Sequence, residues 1–267
     1  GAFRMTIKAK EVGGSVELGT NIYEPHVTGY VIDSVTDYRK LTPVDVTKGR
    51  AKVVTDASRI LKAETKDIPI VGNLTGPVST ASSVMEPVIF YKELRKRNKE
   101  AHEYMEFITD QLIAFGRAQI EAGADVIAIS DPSGTGEILG PKYFEEFAVT
   151  DINRLLDALQ GEKMGTIVHI CGQMSPVYKE INEVRSSALS FDSIVPMKEA
   201  RKHLPDRVMM GNVSTYALEF GDPARVKILT KSCMRNGSDI IAPACGLGMK
   251  SPLPNIQAIL ACVKGEA

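Results

Sequence analysis

Ala122-Gly123-Ala124-Asp125-Val126-Ile127-Ala128-Ile129-Ser130-Asp131, set beside Asn236-Gly237-Ser238-Asp239-Ile240-Ile241-Ala242-Pro243-Ala244-Cys245, decides the fold. Each stretch reads as a helix end, a glycine, an aspartate two places on, and a short apolar run. Each glycine is placed to end a helix in the left-handed conformation that side chains with a Cβ avoid. Counted from it, Asp131 and Cys245 fall at the same step, each at the carboxyl end of a predicted strand. In a closed barrel of repeated strand–helix units, both residues would face one mouth, where such barrels keep their active sites. Two such units of an open α/β sheet would look alike, so the echo alone leaves both architectures standing.

The rest of the chain repeats that alternation. Short apolar runs predict strands at 68–74, 126–130, 166–170, 189–194, 207–211 and 239–242. Amphipathic stretches between them predict helices at 44–65, 87–122, 142–160, 175–188, 197–204, 223–236 and 254–264. Strand, helix, strand, helix is the pattern of a parallel sheet. The runs are rich in Val and Ile with few polar interruptions, which suits strands covered on both faces. The opening differs. Thr6-Ile7-Lys8-Ala9-Lys10 and Ser15-Val16-Glu17-Leu18 flank Gly13-Gly14, with Tyr30-Val31-Ile32-Asp33 following. We expect a β-hairpin flap over 1–41 and βα units over 42–267, together one domain.

Composition excludes several classes. The chain has 267 residues, enough for one large domain with a sizeable core, and ordinary shares of apolar and charged residues. A net charge of −1 and no basic tract argue against nucleic acid or an anionic membrane as partner. No apolar run reaches membrane-spanning length and no signal peptide opens the sequence, so the expected location is cytoplasmic. Four cysteines at this length do not form a disulfide framework. Gly134-x-Gly136 follows a strand but completes no dinucleotide fingerprint.

The chemistry gathers at two places. In Thr166-Ile167-Val168-His169-Ile170-Cys171-Gly172, strand alternation puts His169 and Cys171 on one face and Ile170 on the other. Cys245 ends a second apolar run far along the chain. One imidazole and two thiols are three ligands of the type Zn²⁺ prefers, with a fourth position open for chemistry. Soft thiolates favour zinc over magnesium or calcium. The competing reading is ordinary, since buried cysteines are common core residues. Spacing alone does not bring Cys245 to the other two.

These residues carry a family resemblance over essentially the whole chain. Thr6-Ile7-Lys8-Ala9-Lys10-Glu11-Val12-Gly13, Gly72-Asn73-Leu74-Thr75-Gly76-Pro77, and Gly123-Ala124-Asp125 with Ser130-Asp131-Pro132 contribute to it. The informative stretches are His169-Ile170-Cys171-Gly172, Gly211-Asn212-Val213 and Ala244-Cys245-Gly246-Leu247-Gly248. The chain resembles the uroporphyrinogen decarboxylase superfamily, and within it the zinc-dependent methylcobamide:coenzyme M methyltransferases. The resemblance implies an α/β fold of TIM type, a (β/α)8 barrel, with zinc on His169, Cys171 and Cys245. Six strand candidates stand here where the barrel needs eight, because relatives carry strands ahead of the flap; the barrel is completed by preceding residues or in another way. Decarboxylases of the superfamily lack the His-x-Cys…Cys set, and the resemblance aligns their catalytic aspartate with Arg4, a charge reversal that speaks against porphyrinogen decarboxylation.

The implied reaction is attack by a zinc-bound thiolate on the methyl group of a methylcobamide. A coordinated thiol ionises near neutral pH, and the thiolate is the nucleophile. The implied partners are a corrinoid protein carrying the methyl donor and a small-molecule acceptor such as coenzyme M or a folate. His169, Cys171 and Cys245 are then the catalytic and metal residues. Substrate-binding candidates are Asn73, Asp131, Asp192 and Asn212. Asp192 is also a candidate fourth ligand, or a helix cap. Asn73 and Asn212 either bind substrate or orient His169 through its second nitrogen, or are turn residues. Asp131 faces the mouth or forms a turn, and Glu137 lies in the loop beyond. His26, His102 and His203 read as surface residues, Cys233 and Cys262 as core. The alternatives are a decarboxylase of the same superfamily and a non-catalytic module that binds a corrinoid protein or stores metal.

Overall fold

Seven strands form in the computed structural model, which describes residues 15–17, 26–161 and 165–266. They are β1 (Ser15–Glu17), β2 (His26–Gly29), β3 (Val71–Thr75), β4 (Val126–Ser130), β5 (Gly165–Ile170), β6 (Ala188–Phe191) and β7 (Val208–Met210). β3 to β7 pair in chain order as a parallel sheet of five. The helices are α1 (Gly49–Glu64), α2 (Pro77–Val84), α3 (Pro87–Lys96), α4 (Asn98–Glu121), α5 (Gly136–Tyr143), α6 (Thr150–Leu159), α7 (Tyr178–Asn182), α8 (Met197–His203), α9 (Thr215–Phe220), α10 (Pro223–Arg235) and α11 (Leu253–Val263). None among the described residues is long and apolar enough to cross a membrane.

The two echoed junctions fold alike. Gly123 and Gly237 adopt φ of +102° and +99°. After each, the chain closes a Schellman turn: Ala124 N–H donates to Gln119 O at 3.0 Å, and Ser238 N–H to Cys233 O at 3.1 Å. The aspartates then fasten the strand starts. Ile70 N–H donates to Asp125 Oδ2 and Met209 N–H to Asp239 Oδ2, both at 2.8 Å.

The predicted strand at 239–242 does not become a full ladder. The segment runs along β7 through two isolated parallel bridges, Met210 with Ile240 and Val213 with Pro243. Gly211, at φ +129°, leaves the extended conformation between the two bridges and interrupts the ladder. The long helix expected at 87–122 breaks at Arg97, whose φ of −129° and ψ of 49° leave the helical region. That at 142–160 contains a π-helical stretch, Phe144–Val149. That at 175–188 is confined to α7, because Ser187 turns to bond Thr166 across the start of β5. α2, α9 and most of α5 differ from the expectation, and Glu137 stands in the first turn of α5 rather than in a loop. In the flap, Ser15–Glu17 pairs antiparallel with His26–Gly29, and residues 30–33 form no strand; the expectations at 6–10, 13–14 and Leu18 lie outside the described residues, as does Arg4.

Side-chain alternation gives the sheet two unlike faces. β4 and β5 bury every second residue completely and leave the others half-buried. Leu74, Ile127, Ile129, Val168, Ile170 and Leu189 join Phe115, Leu155 and Leu156 in the main core beneath the helices. Each such side chain contributes about 1.5–3 kcal/mol by leaving water. A smaller core of Val213, Leu218, Val226, Cys233, Ala258 and Ile259 holds α9, α10 and α11 together beyond β7. The expectation of cover on both faces therefore holds for the outer face, while the inner face of β4 and β5 stays half-open. His169 lies on that inner face.

Candidate metal centre

The end of β5 and the segment beside β7 bring the three expected ligands together. One donor atom from each of His169, Cys171 and Cys245 lies within 4.8 Å of the other two. His169 Nε2 is 3.2 Å from Cys171 Sγ, and the two sulfurs are 3.8 Å apart. Local structure explains the convergence. Strand alternation puts His169 on the inner face, and Gly172, at φ +78°, turns the chain just after Cys171. Glu137 braces that turn: its carboxylate accepts the Gln173 N–H at 3.1 Å. Cys245 is carried in by Val213 and Ala244, since Ala244 N–H donates to Val213 O at 2.8 Å.

The electrostatics of the pair favour a bound cation. The hydrogen bond from Cys171, then that from His169, pushes the Cys245 thiol down to about 4, against the burial that opposes it. Cys171 is pushed up, first by that shared bond, then by burial and by the negative charges of Cys245, Asp192 and Asp131. The shared bond thus favours one thiolate beside one thiol. The set is nitrogen and sulfur, the donors zinc prefers, and no fourth His, Cys, Asp or Glu joins it among the described residues.

The other candidates take different places. Asn73 sits on the inner face of β3, in register with Ala128 and, through it, Ile167. Its backbone is held by Gln119, at 2.9 Å from N and 3.2 Å from O. Its Oδ1 is buried without a hydrogen-bond partner among the described residues. Asp131 is fully buried and is not an open mouth group: its two oxygens accept the N–H groups of Val78 and Ser79 at 3.1 and 2.7 Å. It caps α2, the helix whose start was not foreseen. Asn212 donates to Asp192 O and Val195 O, both at 2.8 Å, so its amide ties down the loop after β6 and does not reach His169. Asp192 lies outside the ligand cluster, and its Oδ1 accepts the Ile194 N–H at 3.2 Å, a turn contact. His102 bonds Glu146 and stacks on Phe147, and His203 bonds Glu199. Cys233 and Cys262 are buried, as read.

One contact went unforeseen. Ser190 Oγ lies 3.1 Å from His169 Nδ1. The signal was present in Leu189-Ser190-Phe191, a small polar residue interrupting an apolar strand two places before Asp192.

Comparison with known proteins agrees with the resemblance. The family model for uroporphyrinogen decarboxylase (URO-D) matches residues 2–265. The chain is 27% identical over 264 residues to the methylcobamide:CoM methyltransferase MtbA of Methanosarcina acetivorans, spanning 98% of this chain and 78% of that protein. It is 28% identical over 261 residues to MtaA of Methanosarcina barkeri, spanning 96% and 76%. Among solved structures, a methyltransferase from Methanosarcina mazei superposes with a TM-score of 0.88 at 29% identity, over 97% of this chain and 77% of that one. The α/β arc of parallel strands is that of a TIM-type barrel.

Proposed function

The chain belongs to the uroporphyrinogen decarboxylase family, and on that premise we propose that it moves a methyl group from a methylated corrinoid to a thiol, such as coenzyme M or another acceptor, at a zinc site. It is an enzyme of the corrinoid-dependent methyltransferase type, the class its methylcobamide:CoM relatives name. The corrinoid would arrive on a partner protein. The observation that carries the reading is the meeting of His169 Nε2 with the sulfurs of Cys171 and Cys245.

His169, Cys171 and Cys245 would hold the ion, since three soft or borderline donors at mutual contact are its ordinary protein ligands. Bound zinc would supply the charge that keeps an acceptor thiol deprotonated at neutral pH, leaving it the competent nucleophile. The rest falls to the chain. The half-open inner face would admit the acceptor beside the sulfurs, and Asn73, on the same face of the sheet, is the candidate to meet its polar part. In the transfer a carbon–sulfur bond forms as the carbon–cobalt bond breaks, and cobalt keeps both electrons, passing from Co(III) to Co(I). Holding the sulfur in line with that bond is worth several kcal/mol. The decarboxylase alternative gives the paired thiols no task.

The test combines metal analysis with spectroscopy. Purified protein should carry about one zinc per chain. Added to methylcobalamin and a suitable thiol, it should convert the methyl-Co(III) spectrum to that of Co(I). A zinc-replete protein that leaves the spectrum unchanged with every thiol tried would sink the reading.

A further inference from the structure

We infer that Ser190 is a positioning residue for His169: its hydroxyl holds the imidazole so that Nε2, and not Nδ1, is presented to the metal. The inference rests on the zinc reading proposed above and names a residue that reading does not use.

The placement follows from strand register. His169 and Ser190 are direct partners across the parallel β5–β6 pair. In-register side chains point to the same face about 4.8 Å apart, so a short side chain beside an imidazole meets its nearer nitrogen. Ser190 Oγ is 3.1 Å from Nδ1, while Nε2 is turned toward Cys171 Sγ. Ser190 is 4% exposed, so water does not compete freely for the bond.

The proton arrangement then has one consistent form. A nitrogen that binds a metal uses its lone pair, so with Nε2 bound the ring's remaining proton sits on Nδ1 and must be donated. Ser190 Oγ is placed to accept it. Histidine ligands are commonly oriented by such an outer partner, most often a carboxylate or backbone carbonyl. A hydroxyl takes that part here, Ser190 Oγ lying within reach of Nδ1. A hydroxyl also reverses its role, donating to Nδ1 whenever the ring proton moves to Nε2. The ring therefore stays in place whether or not the ion is bound.

Two variants and two readouts test this. Ser190→Ala removes the oxygen with the least change of volume, and Ser190→Thr keeps the hydroxyl. Zinc affinity, measured by competition with a chromophoric chelator, should fall about 10–100-fold in Ser190→Ala and return close to the unaltered value in Ser190→Thr. Nitrogen NMR of the metal-free protein should show a moved His169 Nδ1 signal in Ser190→Ala alone, since in either tautomer the hydroxyl bonds that nitrogen. Unchanged affinity in Ser190→Ala, or equal losses in both variants, would overturn the inference, because the oxygen would then not matter. If the unaltered protein binds no zinc, the proposed function fails. The nitrogen measurement still decides the role of Ser190, and identical spectra for the unaltered protein and Ser190→Ala would overturn it.

Discussion

The junction at residues 122–131 and the one at 236–245 begin alike, from their glycines through their aspartates, and end differently at the eighth residue beyond the glycine. Both open with a left-handed glycine, in both an aspartate accepts a backbone N–H at the start of the neighbouring strand, and both pair that aspartate with a cation on the helix ahead of that neighbouring strand. Lys62 Nζ is 2.6 Å from Asp125 Oδ1, and Arg201 Nη2 is 2.6 Å from Asp239 Oδ2. The eighth residue is Asp131 in one and Cys245 in the other. β4 lies inside the sheet, and the start of α2 folds over its end, so Asp131 is sealed in as a cap. The 239–243 segment lies at the edge beside β7, and exposed Gly246 and Leu247 follow Cys245, so its sulfur turns to Cys171. The repeated unit fixes where the end-of-strand residue stands. What packs over it decides whether it serves stability or chemistry.

The largest expected contrast comes from removing those two side chains. Cys245→Ala should abolish zinc binding and lower methyl transfer by more than about 100-fold, beyond the loss typical of outer partners. Its unfolding free energy without metal should stay within about 0.5 kcal/mol of the unaltered protein, because the residue is exposed. Asp131→Ala should do the reverse. It leaves two backbone donors at the buried start of α2 unpaired, a loss of about 2–3 kcal/mol in urea denaturation, with zinc stoichiometry retained. A stable Asp131→Ala protein that had lost its zinc would erase the contrast.

A smaller effect tests the likeness. Gly123→Ala and Gly237→Ala each force a Cβ into the left-handed region, at about 1–2 kcal/mol. The new carbons would meet flexible side chains in both places, Lys62 Cγ at 2.8 Å and Arg201 Nε at 3.1 Å. Chemical denaturation should therefore give losses within about 0.5 kcal/mol of each other. A large gap would mean that the two turns share a pattern but not an energy.

How much of this was legible depends on whether the signal was local. The glycines, the apolar runs other than 239–242, and the alternation of His169 with Cys171 are near-neighbour facts, and they stand in the structure as read. The meeting of Cys245 with Cys171 was readable only through a fold that sets one strand end beside another. Asp131 misled because a carboxylate at a strand end looks the same whether it faces solvent or a helix start. The helix it caps, Pro77-Val78-Ser79-Thr80-Ala81-Ser82-Ser83-Val84, is poor in strong helix formers, and packing rather than propensity holds it, every residue being buried. Asn212 misled similarly, its amide being spent on the carbonyls of Asp192 and Val195. Ser190 was hidden by its size, since only strand register reveals that it faces His169.

The smallest effect lies in the two aspartates that start the strands. The hydrogen bond from Lys62, then that from Ile70 N–H, holds the Asp125 carboxyl below the usual carboxylate range. Burial would raise Asp239, but the Met209 N–H and the Arg201 guanidinium outweigh it and hold that carboxyl low as well. The unfolded chain returns each to about 4, so each favours the folded state fully above that value. The contribution fades as pH falls through the lower folded value, where the native carboxylate finally takes a proton. Asp125→Asn and Asp239→Asn should each flatten the acid side of the stability profile, followed by urea midpoints between about pH 7 and pH 2. Both ion pairs are partly exposed, so each change should be slight and should shrink further with added salt. Equal flattening would extend the likeness of the two junctions from geometry to titration. A response from Asp239→Asn alone would place the working anchor at the edge where Cys245 must be held, and leave Asp125 as a duplicate in a strand already fixed on both sides.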